Sequence, residues 1–150
     1  MKLVQFDGFP FVEGGITAAK GFSASGVHCG IRANKSKKDL GLLLADHDCA
    51  AAGVYTLNKV KGAPIAVTKD HIAGGYCRGV IVNSGIANTC NADGIEKAEA
   101  MCRIAAKAVN LKETDFAVAS TGVIGQPLPL EPIQGSIDAL AKELSPKNHG

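Results

Sequence analysis

No tryptophan occurs in this 150-residue chain, and aromatic residues make up only 5% of it. Proteins that hold single-stranded nucleic acid stack its bases on aromatic rings, so this scarcity argues against such a ligand. Charge of one sign is also lacking. Sixteen basic residues face 14 acidic ones, and the net +2 implies no general affinity for polyanions. No apolar run approaches the roughly 18 residues that would read as a membrane-spanning helix. The N-terminal Met1-Lys2-Leu3-Val4-Gln5-Phe6-Asp7 does not have the architecture of a signal peptide. The five cysteines, Cys29, Cys49, Cys77, Cys90 and Cys102, are odd in number and never spaced C-x-x-C. That pattern argues against a disulfide framework or zinc ribbon and favours a reducing compartment, so the cytoplasm is the expected location. Neither glycine-rich phosphate-loop pattern, G-x-x-x-x-G-K-[ST] or G-x-G-x-x-G, is found. Internal repeats, low-complexity tracts and linkers are absent as well.

What the chain does have is glycine, 18 residues in 150, against about 7% in average proteins. Many of these follow apolar runs, which points to tight turns and close backbone packing. At 46% apolar and 20% charged, the chain is globular, either one ordinary domain or part of a larger one. Residues 1–26 read as an extended arm with short strands. Residues 27–32 alternate like a half-buried strand, residues 33–39 like a hairpin loop, and residues 40–45 and 50–57 are continuous apolar runs. Those three strands would form an antiparallel sheet, since no long crossover separates them. Pro64 opens a short helix over 65–72, closed by Gly74-Gly75. A strand over 78–83 follows. Asp93 and Glu96 form a capping box for a helix whose buried face is Ile95, Ala98, Cys102, Ala105 and Val109. A strand over 116–120 and a helix over 131–144, carrying Ile133, Ile137, Leu140 and Leu144, complete the order. Strands first and strand–helix units afterwards mean an α/β (mixed α+β) fold.

Several clusters invite a chemical reading. Asp46-His47-Asp48-Cys49 resembles a set of metal ligands, but neighbours in an extended segment point to opposite faces, so a polar turn is the better reading. Arg32, Lys35, Lys37 and Lys38 read as a solvated hairpin tip. Cys49, Cys77 and Cys102 sit among apolar neighbours as small hydrophobes. Cys90, just ahead of a helix, is the thiol a helix dipole could activate. Two strand-end segments remain, Asn83-Ser84-Gly85-Ile86-Ala87-Asn88-Thr89 and Ser120-Thr121-Gly122-Val123-Ile124-Gly125. Loops rich in small polar residues at strand ends are where such folds place ligands, and tight turns with helix caps are the competing account. Hydroxyl, hydroxyl, glycine at the end of a strand offers donors to a developing oxyanion.

Five pieces in register carry a resemblance. They are Gly15-Ile16-Thr17-Ala18-Ala19-Lys20-Gly21-Phe22, Gly30-Ile31-Arg32 ahead of Asp39-Leu40, and Ala52-Gly53-Val54-Tyr55-Thr56-Leu57-Asn58 with Lys61-Gly62-Ala63-Pro64. The two strand-end segments complete the set. The chain resembles the α-chain of the ornithine acetyltransferases of arginine biosynthesis, from about residue 10 to its end. The resemblance implies sheets packed between helical layers. It also implies a precursor that cleaves itself and a threonine at the new β-chain N-terminus that takes acetyl from N-acetylornithine and passes it to glutamate. No cofactor is implied, although acetyl-CoA serves some members as acetyl donor. By position, the resemblance gives the oxyanion hole to the Thr121 hydroxyl and the Gly122 backbone N–H. The expected partner is the β-chain of the same precursor in an α2β2 heterotetramer, with no nucleic acid and no membrane. Residues 1–150 would be the N-terminal part of α, a single domain without α's C-terminal end and inactive alone. Two alternatives stay open: a paralogue with another amino-acid substrate, and a non-catalytic α/β domain that binds a small molecule.

Overall fold

A computed structural model describes residues 8–9 and 12–148 of the chain. Part of the expected N-terminal arm, the signal-peptide reading and the extreme C-terminus lie outside the described residues. The elements in order are β1 (Phe22–Val27), β2 (Leu40–Ala50), α1 (Ala63–His71), β3 (Tyr76–Ile86), α2 (Gly94–Ala108), β4 (Phe116–Val123) and α3 (Glu131–Lys142). The strands form one four-stranded sheet in sequence order. The first two neighbouring pairs, β1–β2 and β2–β3, are antiparallel, and β3–β4 is parallel. The parallel pair is joined through α2, the crossover that parallel strands require. The mixed α/β class expected from the sequence is the class observed.

The core lies on one face of the sheet. Leu40 and Leu42 of β2, Ile81 of β3, and Phe116 and Val118 of β4 pack against Ala98, Met101, Cys102, Ala105 and Ala106 of α2. Ile133, Ile137 and Leu140 of α3 close the same cluster. Alternation explains the choice, because every second residue of a strand points to the same face. α1 begins with Pro64 in its first turn, and the chain leaves it through a short turn to Gly75 at φ 81°, as the sequence indicated.

Five expectations are corrected. Residues 27–32 do not form a strand, because β1 ends at Val27 and the backbone then turns around the buried carboxylate of Asp39. That carboxylate accepts N–H bonds from Cys29 (2.6 Å), Gly30 (3.2 Å) and Arg32 (2.8 Å). Residues 50–57 are not a strand either. The residues beyond β2 are irregular, and Val54 and Leu57 are fully exposed because no described residue covers them. Asp46 to Asp48 are not a turn. β2 passes through them with a register shift and pairs again at Cys49 with Cys77. No group of three or more potential metal ligands forms among the described residues. Asp93 caps α2 by position only, without a side-chain bond to its N–H groups, and stands 3.9 Å from Lys97 instead. Ile95 is 54% exposed, and Met101 and Ala106 take their places in the buried face.

Asp39 gives a testable consequence. Burial raises the pKa of its carboxyl, but the N–H groups of Arg32, Cys29 and Gly30 outweigh that and hold it below its ordinary value. A depressed folded-state pKa contributes stability above the unfolded value of about 3.9, and that stability is lost as pH falls through the folded value. Asp39→Ala strands three N–H donors and should cost about 3 kcal/mol. Urea denaturation at pH 7 checks the loss. Asp39→Asn should flatten the decline in stability that the parent shows below about pH 4.

Candidate functional site

The two strand-end segments singled out in the sequence form one structure. Both strands run further than their apolar runs predicted, to Ile86 and Val123. Ser84 stands opposite Thr121, Gly85 opposite Gly122 and Ile86 opposite Val123. The paired glycines make this continuation possible. A Cβ on Gly122 would lie 2.2 Å from both C and O of Gly85 and 2.6 Å from N of Ile86. Gly85 and Gly122 have φ of 115° and 137°, which glycine adopts without the Cβ clash other residues meet.

Hydrogen-bond alternation then fixes which donors are presented. Val123 O accepts the N–H of Ala87 at 2.9 Å. A residue in a parallel ladder turns its N–H and C=O to one side and its neighbours turn theirs to the other. Phe116, Val118, Ser120 and Gly122 therefore face away from β3, along the opposite edge of β4. α1 occupies the first part of that edge in place of another strand. His71 Nδ1 donates to Phe116 O (2.8 Å), and the Thr68 hydroxyl donates to Val118 O (2.9 Å) while accepting the Val118 N–H (3.0 Å). Beyond Val118 no α1 side chain bonds to the strand among the described residues. The N–H groups of Ser120 and Gly122 thus fall on an open edge. A cleft of about 310 Å³ runs there, bounded by Tyr55, Thr68, Thr89 and Ser120.

The side chains divide in the same way. Ser120 turns toward the helices, with Oγ 4.0 Å from Met101 Sδ. Thr121 points to the opposite face, is exposed, and its hydroxyl forms no hydrogen bond to a described residue. One free hydroxyl and one edge N–H on adjacent residues can both donate to a carbonyl oxygen as it gains charge.

Arg32 is a neighbour the sequence misplaced. It is half-buried, not on a solvated tip, and its Nε donates to Ser84 Oγ at 2.9 Å, beside the register partner of Thr121. The Asp39 turn holds the Arg32 backbone in place; in the sequence Asp39 stood out only within a matching piece, and Thr68 did not stand out. Lys35, Lys37 and Lys38 are exposed as expected. The thiols divide less evenly than the sequence indicated. Burial pushes Cys102 up to about 12 and Cys29 up to about 11, so both stay protonated at neutral pH. Cys90 is exposed, at φ 64°. His28, His47 and His71 are engaged elsewhere, with the Lys37 carbonyl, Asp46 and the Phe116 carbonyl, and so none of these three stands ready as its base. No helix among the described residues is long and apolar enough to cross a membrane.

Comparison with known proteins adds a family to this geometry. The model of the ArgJ family matches residues 23–149. The arginine biosynthesis bifunctional protein ArgJ of Symbiobacterium thermophilum is 44% identical over 139 residues, 91% of this chain and 35% of that protein. Its namesake in Halalkalibacterium halodurans is 44% identical over 132 residues, 87% of this chain and 32% of that protein. The chain thus spans about a third of the length of these curated relatives. Among solved structures, the ornithine acetyltransferase of Mycobacterium tuberculosis complexed with ornithine superposes with a TM-score of 0.86 at 36% identity. The match covers 91% of this chain and 74% of that one. The ArgJ structure from Bacillus halodurans gives a TM-score of 0.78 at 44% identity, covering 83% and 65%.

Proposed function

The chain belongs to the ArgJ family, and on that premise we propose that it is the N-terminal part of the α-chain of an autoprocessed acetyltransferase. Its contribution is the oxyanion hole, formed by the Thr121 hydroxyl and the Gly122 N–H. The carrying observation is the Gly85–Gly122 contact, which extends β4 past α1 and puts both donors at an open corner of the sheet. The nucleophile is the N-terminal threonine of a partner β-chain, whose own α-amino group takes the proton from its hydroxyl. That oxygen attacks the acetyl carbonyl of N-acetylornithine, ornithine leaves, and the acetyl-enzyme passes its acetyl group to the amine of glutamate. Charge on the carbonyl oxygen in both steps is what Thr121 and Gly122 stabilise. The reaction so proposed uses no cofactor, and acetyl-CoA enters only as an alternative acetyl donor.

The surface supports a large partner. Val54, Leu57, Val123 and Ile124 are each more than half exposed. On the sheet face away from the helices, Val82 is 37% exposed and Leu43 and Val80 are half-buried. Apolar surface of this kind marks an interface. In the proposed assembly it meets the rest of the precursor, including a second sheet layer, in an α2β2 heterotetramer. Expression of the full-length coding sequence tests the reading. Intact mass spectrometry should find two polypeptides, the second beginning with threonine, and the pair should transfer acetyl from N-acetylornithine to glutamate. One uncleaved chain with no transfer would favour a non-catalytic binding domain, and transfer to a different amino acid would favour the paralogue.

A further inference from the structure

An oxyanion hole works because its donors are aimed before the charge appears, yet the Thr121 hydroxyl is exposed and bonds to no described residue. Left alone, such a side chain turns among its staggered positions. Ser84 is the side chain placed to fix it. The two residues stand opposite each other in the β3–β4 ladder, on strands about 4.8 Å apart, and opposite residues of neighbouring strands present their side chains on the same face. Serine and threonine so placed bond across strands, and Cβ atoms about 5 Å apart leave room for one O–H···O bond. The two hydroxyls are not bonded as they stand, and the bond forms once the threonine turns toward Ser84.

Arg32 sets the direction of that bond. Its Nε donates to Ser84 Oγ at 2.9 Å. A guanidinium only donates, so Ser84 is the acceptor there and its own hydrogen points elsewhere. That O–H has no acceptor among the described residues. The arginine itself is held at two places. Its backbone N–H donates to Asp39 Oδ2 at 2.8 Å, and its stem lies over Gly85, where an added Cβ would come within 3.1 Å of Arg32 Cγ. Its terminal nitrogens form no hydrogen bond or ion pair with a described residue, although the side chain is half-buried. A tie that only secured the strand end would not need a cation. What the cation adds is polarisation, because charge-assisted bonds are about twice as strong as neutral ones and bonds in a chain strengthen one another. Direction and charge both run from Arg32 through Ser84 to Thr121.

We propose that Arg32 and Ser84 are positioning residues for acetyl transfer. Arg32 donates to Ser84, Ser84 donates to Thr121, and the Thr121 hydroxyl is thereby aimed at the carbonyl oxygen as it gains charge. These roles rest on the oxyanion reading of Thr121, and steady-state kinetics of the full-length protein with N-acetylornithine and glutamate tell the two apart. Ser84→Ala and Arg32→Met should each lower kcat about ten- to thirtyfold, the loss of one charge-assisted contact in the transition state. KM should stay within about twofold, because the relay acts on charge that the bound substrate does not yet carry. Arg32→Lys keeps a cationic donor and should recover most of kcat. If the arginine served only to pack its stem on Gly85, methionine would be the better replacement. In the Thr121→Ala background, Ser84→Ala and Arg32→Met should lower kcat no more than about twofold further, since their effect passes through the missing hydroxyl. An undiminished kcat in Thr121→Ala would remove the oxyanion reading and the relay with it. A fall in Thr121→Ala with none in Ser84→Ala or Arg32→Met would overturn the relay alone. So would losses that multiply in full in the Thr121→Ala background, a rise in KM in place of the fall in kcat, or a fall that tracks the urea midpoint and is not recovered by lysine.

Discussion

On the proposed oxyanion-hole assignment, Thr121→Ala in the full-length protein should lower kcat for acetyl transfer by about two to three orders of magnitude, with KM little changed. That size is the usual cost of removing one oxyanion-hole donor. It falls on kcat because the donor acts where charge develops, in the transition state, and contributes little to holding the neutral acetyl group. Thr121→Ser, which keeps the hydroxyl, should retain most of the activity. The competing account makes Thr121 a strand-end residue whose loss costs stability. Its side chain is exposed and its hydroxyl has no partner among the described residues, so the fold has little to lose, within about 0.5 kcal/mol. Steady-state kinetics and urea denaturation on the same variant separate the two. An unchanged kcat would sink the oxyanion assignment, and a large loss of stability would return Thr121 to a structural role.

Helices were the most legible part of this fold. Pro64 and Gly74-Gly75 bracket α1, and spacings of three and four mark the buried faces of α2 and α3, because those signals are local. Strand centres were legible for the same reason, and strand ends were not. Residues 27–32 alternate like a strand, yet a carboxylate seven to ten residues further on collects their N–H groups. That bond depends on a turn the alternation cannot reveal. Val54 and Leu57 gave residues 50–57 the apolar content of a strand, but the surface that would cover them is not among the described residues. Spacing alone puts Ile95 in the core, yet it is 54% exposed. Of the candidate site, both segments were visible in the sequence. Their residue-by-residue pairing was not, because only the three-dimensional contact of Gly85 with Gly122 reveals that the strands continue.

That contact makes Gly122→Ala the most damaging single-methyl change expected in the chain. Two separate costs meet there. At φ 137° an L-residue is strained by about 1–3 kcal/mol. The added Cβ would also sit 2.2 Å from the Gly85 carbonyl carbon and oxygen, and these are backbone atoms in a ladder, which cannot rotate aside as a side chain can. Overpacking of this kind adds about 1–3 kcal/mol, so the total approaches 4 kcal/mol, a large share of the stability of a typical domain. Two other glycines separate the costs. Gly125, at φ 79°, has nothing within 4 Å of an added Cβ, so Gly125→Ala should show strain alone, about 1 kcal/mol. Gly85→Ala, at φ 115°, meets the side chains of Ile31 and Arg32 at 2.9 and 3.1 Å, which can shift, and should fall between. Urea midpoints of the three variants in the full-length protein should therefore fall in the order Gly125→Ala, Gly85→Ala, Gly122→Ala, the last lowest. If Gly122→Ala proves no more destabilising than Gly125→Ala, the two strands do not meet backbone to backbone. The edge that presents the Gly122 N–H would then be built differently.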